Sequence, residues 1–354
     1  MSNRGSMSRI FSPEWFSIAL GTLALSIVLD KFADFFSFKP LIYLGTIFLI
    51  LGCFFLLVIV FLVARRAANF SSVIREDWND LNKISFMAVL PLSVLIFNVS
   101  LVGYFPHIVK QIYLFSTYNY FIDFLAILFI SLFLGYKLYT KELAIGEITY
   151  ALLIPPVALS TTTLLGVTLL PFLSKGLDQL IYFQIILGLG IALFLFIFLG
   201  SLALASHAKD IKTLESSPVI IIPMGVASII VINILVLSKL NSIFIIPASI
   251  AITTSMVLWG FELWNFGTAL LVSIAKVPQM RPSISVWAYT FPLAIFSISS
   301  LQLAPILFGL NYVYPSYLLY GISIAAAIGL FAAWIYSSVF TVVFLSRLHK
   351  RLKG

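Results

Sequence analysis

Two acidic residues, Asp123 and Glu262, lie inside long apolar stretches of the 354-residue chain, where a side chain could bind a proton within a membrane. Each stands about four helical turns before a lysine, Lys137 and Lys276 respectively. At the rise of an α-helix, that separation is about 21 Å, which is near the middle of a bilayer. Because a buried charge is costly there, each acid should be protonated, hydrogen-bonded or next to a wet cavity.

These acids allow two interpretations. An acid that takes up a proton together with a substrate anion would make the protein a symporter. An acid that forms an interhelical hydrogen bond, or a contact between subunits, would be structural, and the sequence favours this second role.

Helix-breaking residues recur at a regular interval in five of the apolar stretches. They are Gly21–Thr22, Pro91, Pro155–Pro156, Pro223 and Pro292, so successive breaks are roughly 64 to 70 positions apart. A proline inside a membrane helix bends it and frees a carbonyl, which is tolerated where protein or water satisfies it. The interval equals one helical hairpin, and the breaks therefore predict kinks that line a pore. The alternative is chance, since proline is more frequent in membrane helices than in soluble ones.

Hydroxyl side chains accompany these breaks, whereas lysine and arginine are absent from the middle of the apolar stretches, and Lys31 lies near the end of the first. The hydroxyls belong to Ser17, Thr22, Ser26, Ser93, Ser160–Thr163, Ser228, Thr290 and Ser297. Hydroxyls and exposed amides can hydrogen-bond an anion weakly, which suits fast passage. Each hydroxyl could instead bond to its own helix, and only the whole set favours a pore.

The composition identifies the elements that must position these residues. Hydrophobic residues make up 61% of the chain, charged residues make up 10%, and the mean hydropathy is +1.11, which excludes a soluble globular domain. Ten stretches are long enough to span a bilayer as helices. We predict spans at 14–34, 41–64, 84–104, 115–136, 147–171, 179–206, 218–238, 243–272, 284–308 and 315–346.

Charge distribution predicts the orientation of these spans. Of the 21 Lys and Arg residues, 16 fall on the side of the N-terminus and 5 on the other, so both termini are expected to be cytoplasmic. The net charge of +8 forms no stripe and does not indicate nucleic acid. Cys53 is the single cysteine, so neither an internal disulfide nor a cysteine metal site is expected, and no cofactor is indicated. We expect residues 1–354 to form one membrane domain with short tails at about 1–12 and 347–354.

The alternation of broken and unbroken spans predicts an all-α protein built from five tandem hairpins. The five odd spans, which carry the breaks, would form an inner ring around a pore. The five even spans would form an outer ring that faces lipid.

Residues 12–16 and 19–22 of the first span read SPEWF and ALGT, and residues 286–293 of the ninth span read VWAYTFPL. Both segments resemble the tellurite-resistance/C4-dicarboxylate transporter family, which includes the slow anion channels of plant guard cells. The first is similar to the start of that family's first span, and the second resembles its signature in the ninth span. Leu23, Val286 and the joint at residues 80–83 depart from the family pattern, which leaves the subfamily and the substrate open.

The resemblance implies a quasi-fivefold pore in each protomer of a homotrimer. It also implies that an aromatic ring from the ninth span closes the pore, and the matching residue is Phe291. A phenyl ring in a narrow tube excludes water, and the neighbouring Pro292 would let the backbone move.

Two functions are therefore expected to compete. The first is an anion channel in the plasma membrane that conducts chloride, nitrate, sulfite or a dicarboxylate through a gate at Phe291. The alternative is a proton-coupled carrier for C4-dicarboxylates such as malate, or for sulfite, that uses Glu262 or Asp123. An enzyme is not expected, because the spans hold no metal-ligand cluster and no catalytic pair at motif spacing.

Overall fold

Ten long helices dominate the computed structural model, which describes residues 10–106, 109–209, 214–240, 246–276 and 283–353. Within these ranges, all ten are long and apolar enough to cross a membrane. Their regular α-helical parts are α1 (Phe16–Phe36), α2 (Pro40–Asn69), α3 (Val89–Tyr104), α4 (Val109–Thr140), α5 (Ile154–Leu169), α6 (Lys175–Lys209), α7 (Ile222–Leu237), α8 (Ala248–Lys276), α9 (Thr290–Gly309) and α10 (Val313–Lys353). Four of the charges used to predict the orientation, Arg4, Arg9, Lys212 and Arg281, lie outside the described residues.

The ten predicted spans and the all-α class are confirmed. The largest differences are at span ends, as in α2, which continues to Asn69 although its predicted span ends at residue 64. Arg65 and Arg66 lower the hydropathy there without ending the helix, since arginine is a good helix former.

Odd and even spans differ sharply in burial. In the most apolar section of each odd span, 61 to 89% of the residues are buried, against 17 to 33% in the even spans. Large apolar side chains such as Phe54, Phe129 and Val257 are exposed on the even helices. The even helices therefore offer the apolar surface that lipid covers.

Contacts between the odd helices close a cycle. Helix α1 packs against α3, α3 against α5, α5 against α7, α7 against α9, and α9 against α1. Each even helix packs against the odd helix before it and the odd helix after it, and α10 contacts α1 in this way. A hydrogen bond of 3.0 Å from Trp334 Nε1 on α10 to Thr22 Oγ1 on α1 joins the two ends of the chain.

Each odd span has a short helical segment before its long α-helix begins. Short 3₁₀ segments precede four of them, at Pro13–Trp15 before α1, Tyr150–Leu153 before α5, Leu214–Ile221 before α7 and Ile284–Tyr289 before α9. A separate short helix, Leu81–Met87, precedes α3. The prolines at 91, 155, 156, 223 and 292 then occupy the second or third position of the α-helix. Proline is accommodated there because the first N–H groups of a helix have no intrahelical partner.

Span one departs from the predicted break at Gly21–Thr22. Helix α1 continues through both residues, and its change of helix type lies at Trp15–Phe16. Gly21 instead permits close packing, because a Cβ atom at this position would overlap the Thr290 side chain of α9. The Thr22 hydroxyl donates to Ile18 O at 2.8 Å within its own helix.

A buried ion pair lies at the end of the bundle where the odd spans begin. Arg66 of α2 makes two hydrogen bonds to the Asp77 carboxylate, at the end of the short helix Ser71–Asp77. The two side chains are 4% and 2% exposed. Lys83 Nζ also lies 3.0 Å from Asp77 Oδ1, so one carboxylate serves two cations and ties α2 to the start of span three.

Candidate functional site

A narrow cavity of about 40 Å³ lies where all five odd spans meet. Its lining is almost entirely apolar. It consists of Ser17, Leu20, Phe86, Val89, Leu92, Ile154, Val157, Ile222, Gly225, Trp287, Ala288, Phe291 and Pro292. Every one of these residues belongs to an odd span, so the cavity is enclosed by equivalent elements of the five hairpins.

The lining residues repeat in the same register in every hairpin. Each odd span contributes residues three apart, which share one face of a helix. The pairs are Ser17 and Leu20, Val89 and Leu92, Ile154 and Val157, Ile222 and Gly225, and Ala288 and Phe291. Successive pairs are roughly 65 to 72 positions apart, which is the hairpin period. The second residues of these pairs form one register set. Phe291 is its aromatic member, and the other members are Leu20, Leu92, Val157 and Gly225.

A wider polar vestibule adjoins the cavity at the end where the odd spans begin. Its volume is about 310 Å³, and all five odd spans or the residues directly before them contribute to it. It is lined by Glu14, Ser17, Asn82, Phe86, Thr149, Ala151, Val219, Ser283, Ile284, Ser285 and Ala288. The residues that line only the vestibule are mostly polar, whereas those that line the cavity are apolar apart from Ser17.

Three residues line both spaces and form the neck between them. They are Ser17 of α1, Phe86 of the short helix before α3, and Ala288 of the segment before α9. Phe86 and Ala288 were not singled out from the sequence as site residues. The register could have identified both, since each lies three residues before another cavity-lining residue of its span.

Phe291 lies in the cavity wall at the start of α9. Its side chain is 7% exposed, and it is the second residue after the change from 3₁₀ to α-helix. The next residue, Pro292, has no N–H and cannot donate to a preceding carbonyl. A Cβ atom on Gly225 of α7 would be 3.1 Å from Pro292 Cα, so glycine lets α7 approach the backbone beside Phe291.

The segment before Phe291 is attached to both neighbouring even helices. Trp287 Nε1 donates to Thr341 Oγ1 of α10 at 2.8 Å, and Ser273 Oγ of α8 bonds to the Tyr289 hydroxyl at 2.9 Å. The Thr290 hydroxyl donates to Trp287 O at 2.7 Å. These bonds hold the backbone on the N-terminal side of Phe291, while the ring itself contacts the cavity.

Most of the predicted hydroxyls bond to backbone carbonyls. Ser93 donates to Val89 O at 2.7 Å, and Ser26 and Ser297 donate to carbonyls of α2 and α10. Of the hydroxyls that the sequence placed near the breaks, Ser17 lines both the cavity and the vestibule. Most of these hydroxyls therefore bond within their own helix, and Ser26 and Ser297 bond to a neighbouring helix.

Glu262 lies between α7, α8 and α9, outside the cavity lining. It is completely buried, and its Oε2 lies 2.8 Å from Ser228 Oγ of α7 and 2.7 Å from Ser299 Oγ of α9. Each serine hydroxyl also lies within reach of a carbonyl of its own helix, Met224 O at 2.8 Å and Phe296 O at 3.0 Å. Because a hydroxyl has one proton, a neutral carboxylic acid that donates to a serine satisfies this network better than a carboxylate.

One turn further along α8, Asn265 bridges the change of helix type in span seven. Its Oδ1 accepts from Met224 N at 3.1 Å, and its Nδ2 donates to Ile220 O at 3.3 Å. Helix α8 therefore stabilises the start of α7 through Asn265 and links α7 to α9 through Glu262.

Asp123 of α4 is 5% exposed and also lies outside the cavity lining. Its Oδ2 is buried and has no hydrogen-bond partner among the described residues. The structure thus places both acids predicted from the sequence on even helices, and it brings neither into the cavity.

The cavity is suited to an anion that is held weakly. Five α-helices begin around it, and the N-terminal end of a helix carries partial positive charge. In the part of the chain that the structure describes, no lysine or arginine lines the cavity or the vestibule. Within the described residues, no group of three or more His, Cys, Asp or Glu side chains could hold a metal ion.

Residues 10–342 match the SLAC1 family model, which is described as voltage-dependent anion channel. The match begins before α1 and ends within α10, so it includes every helix that contributes to the cavity. No curated protein matches the chain at a significant level.

Proposed function

Because the chain belongs to the SLAC1 family of voltage-dependent anion channels, we propose that it conducts small anions passively along the axis between its five odd helices, with Phe291 as the gate. The observation that carries this proposal is the cavity lined in one register by all five odd spans, with Phe291 in its wall. The protein is an integral, multi-pass membrane protein.

The gating role follows from the chemistry of the lining. An apolar constriction excludes water, and an anion cannot cross it without losing its hydration. The phenyl ring of Phe291 is the large side chain of its register set, while Gly225 is the smallest member. Movement of this one ring would therefore change the width of the path more than movement of any other member.

The proposal also includes the permeant anion, the oligomeric state, the membrane and the orientation of the protein. We expect chloride, nitrate, sulfite or a dicarboxylate as the permeant anion and a homotrimer of single-domain protomers in the plasma membrane. The excess of basic residues on one side supports cytoplasmic termini, which would place the vestibule on the cytoplasmic side.

A proton-coupled carrier for malate or sulfite is the second candidate function, and the burial of Glu262 is the observation that favours it. Against it stands the position of Glu262, which is bonded to Ser228 and Ser299 and does not line the cavity. A residue that couples protons to an anion should exchange its proton from the path. The bridging geometry supports a structural role for this acid.

Anion uptake into proteoliposomes distinguishes the two functions. We expect chloride, nitrate, sulfite or malate to move down its electrochemical gradient, with no accumulation when a proton gradient alone is imposed. Glu262→Gln should keep this behaviour, because glutamine is neutral and has the same length, and its carbonyl can accept from a serine. Accumulation driven by the proton gradient in the wild type, and its loss in Glu262→Gln, would establish the carrier and contradict the channel.

A further inference from the structure

Among the described residues, Glu14 is the one charged side chain that lines the vestibule. Asp123 and Glu262, the two acids predicted from the sequence, do not line the vestibule. Asp123 lies on α4, and Glu262 lies between α7, α8 and α9. Glu14 is half-buried and stands three residues before Ser17, which lines the neck. An anion that enters the cavity from the vestibule must therefore pass this carboxyl group.

The position of Glu14 is fixed by its neighbours in the 3₁₀ turn Pro13–Trp15. Pro13 and Trp15 are both buried, and Trp15 Nε1 donates to Ile10 O at 2.9 Å. The Trp15 ring contacts Phe11 at a centroid distance of 4.7 Å and Phe344 of α10 at 6.2 Å. With its flanking residues packed into the protein, Glu14 stays in the vestibule wall.

The charges that act on Glu14 do not cancel its own. Within the described residues, the nearby charged groups are Lys83 and Asp80, in or directly before the short helix that precedes α3, and Asp77, at the end of the helix Ser71–Asp77. Lys83 is already paired with Asp77 at 3.0 Å, and Asp80 caps the same helix by accepting from Lys83 N at 3.1 Å. The segment Ile284–Tyr289 and helix α3, which also pack against this turn, contain no Asp, Glu, Lys or Arg.

We propose that Glu14 controls anion entry from the vestibule, so that its ionised carboxylate opposes anions and its protonated form admits them. This inference rests on the proposed function, since it concerns the same path. A negative charge at a site that an anion must pass raises the energy of the anion there, and protonation removes that charge. The conductance should therefore rise as the pH falls through the titration of Glu14.

Glu14→Gln tests the proposal in planar bilayers with the same pH and the same chloride concentration on both sides. At pH 7.5 and low ionic strength, the variant should conduct about 3- to 10-fold more than the wild type, and the difference should shrink at high salt. The wild-type conductance should rise on acidification, whereas that of Glu14→Gln should be flat. Glu76→Gln is the matched control, because Glu76 is exposed and lies outside the vestibule lining, and it should behave as the wild type.

The outcomes separate this inference from the proposed function. If anion current is present but Glu14→Gln has the amplitude and pH profile of the wild type, the inference is wrong and the channel remains. A lower current in Glu14→Gln, with thermal stability equal to that of Glu76→Gln, also overturns it. If no variant carries anion current, including a variant at the Phe291 gate, the proposed function fails and the inference fails with it.

Discussion

Phe291→Ala should raise the anion conductance of the reconstituted protein by at least about tenfold. The ring is buried in the wall of a cavity that all five odd helices enclose, and alanine would remove most of it. Because an apolar constriction closes a path by excluding water, loss of the ring should let water and anions through. Single-channel recording in planar bilayers, at equal amounts of incorporated protein, measures the change.

The matched control for this prediction is Phe296→Ala. Phe296 lies five residues further along α9, is fully buried, and packs against Trp259 and Phe266 away from the cavity lining. Its loss should lower stability, since replacing a buried phenylalanine with alanine costs about 3–5 kcal/mol, without raising the conductance. Equal conductance in Phe291→Ala and the wild type, or an equal rise in Phe296→Ala, would rule out a gate at Phe291.

Asp77→Ala should destabilise the protein more than any change of an exposed charge. Removing this carboxylate breaks two hydrogen bonds to the 4%-exposed Arg66 guanidinium and the ion pair with Lys83. Breaking a buried ion pair from one side costs on the order of 3–5 kcal/mol. The melting temperature of the purified protein in detergent should therefore fall strongly.

Two further variants test whether the buried ion pair causes the loss of stability in Asp77→Ala. Glu147→Gln breaks the exposed pair with Lys141, and such pairs contribute about 0–1 kcal/mol, so its melting temperature should stay near that of the wild type. The double variant Arg66→Met with Asp77→Leu removes both buried charges and should be more stable than Asp77→Ala alone. A melting temperature for Asp77→Ala equal to that of Glu147→Gln would show that the buried pair contributes little.

The number of helices, their approximate limits and the hairpin period could be predicted from the sequence, because bilayer thickness imposes a minimum apolar length on every span. The prolines mark the first turn of the α-helix in four of the five odd spans. Their structural role was predicted less well, because proline fits the first turn of an α-helix as readily as it breaks the interior. Gly21 illustrates the same limit, since its close packing against Thr290 depends on a helix near the opposite end of the chain.

The site was predictable only in part. Phe291 followed from the resemblance to a family and not from its chemistry, because the chain contains 33 phenylalanines. Arg66 and Asp77 lie in the polar segment between two predicted spans, and the sequence does not indicate that they are buried together. The depth of Asp123 and Glu262 in the bilayer indicates a special role for both, whereas the sequence does not indicate that the Glu14 carboxyl lies on the vestibule wall.

The proposed path between the odd helices can be tested by the accessibility of a cysteine that replaces Val157. This residue lines the cavity and is buried, whereas Val257 of α8 is 70% exposed on the outer surface. In a Phe291→Ala background with Cys53→Ser, a charged, membrane-impermeant thiosulfonate reagent should block the current of Val157→Cys and leave that of Val257→Cys unchanged. A current in Val157→Cys that persists after the introduced thiol has reacted completely, or one that is blocked equally at both positions, would place the anion path elsewhere.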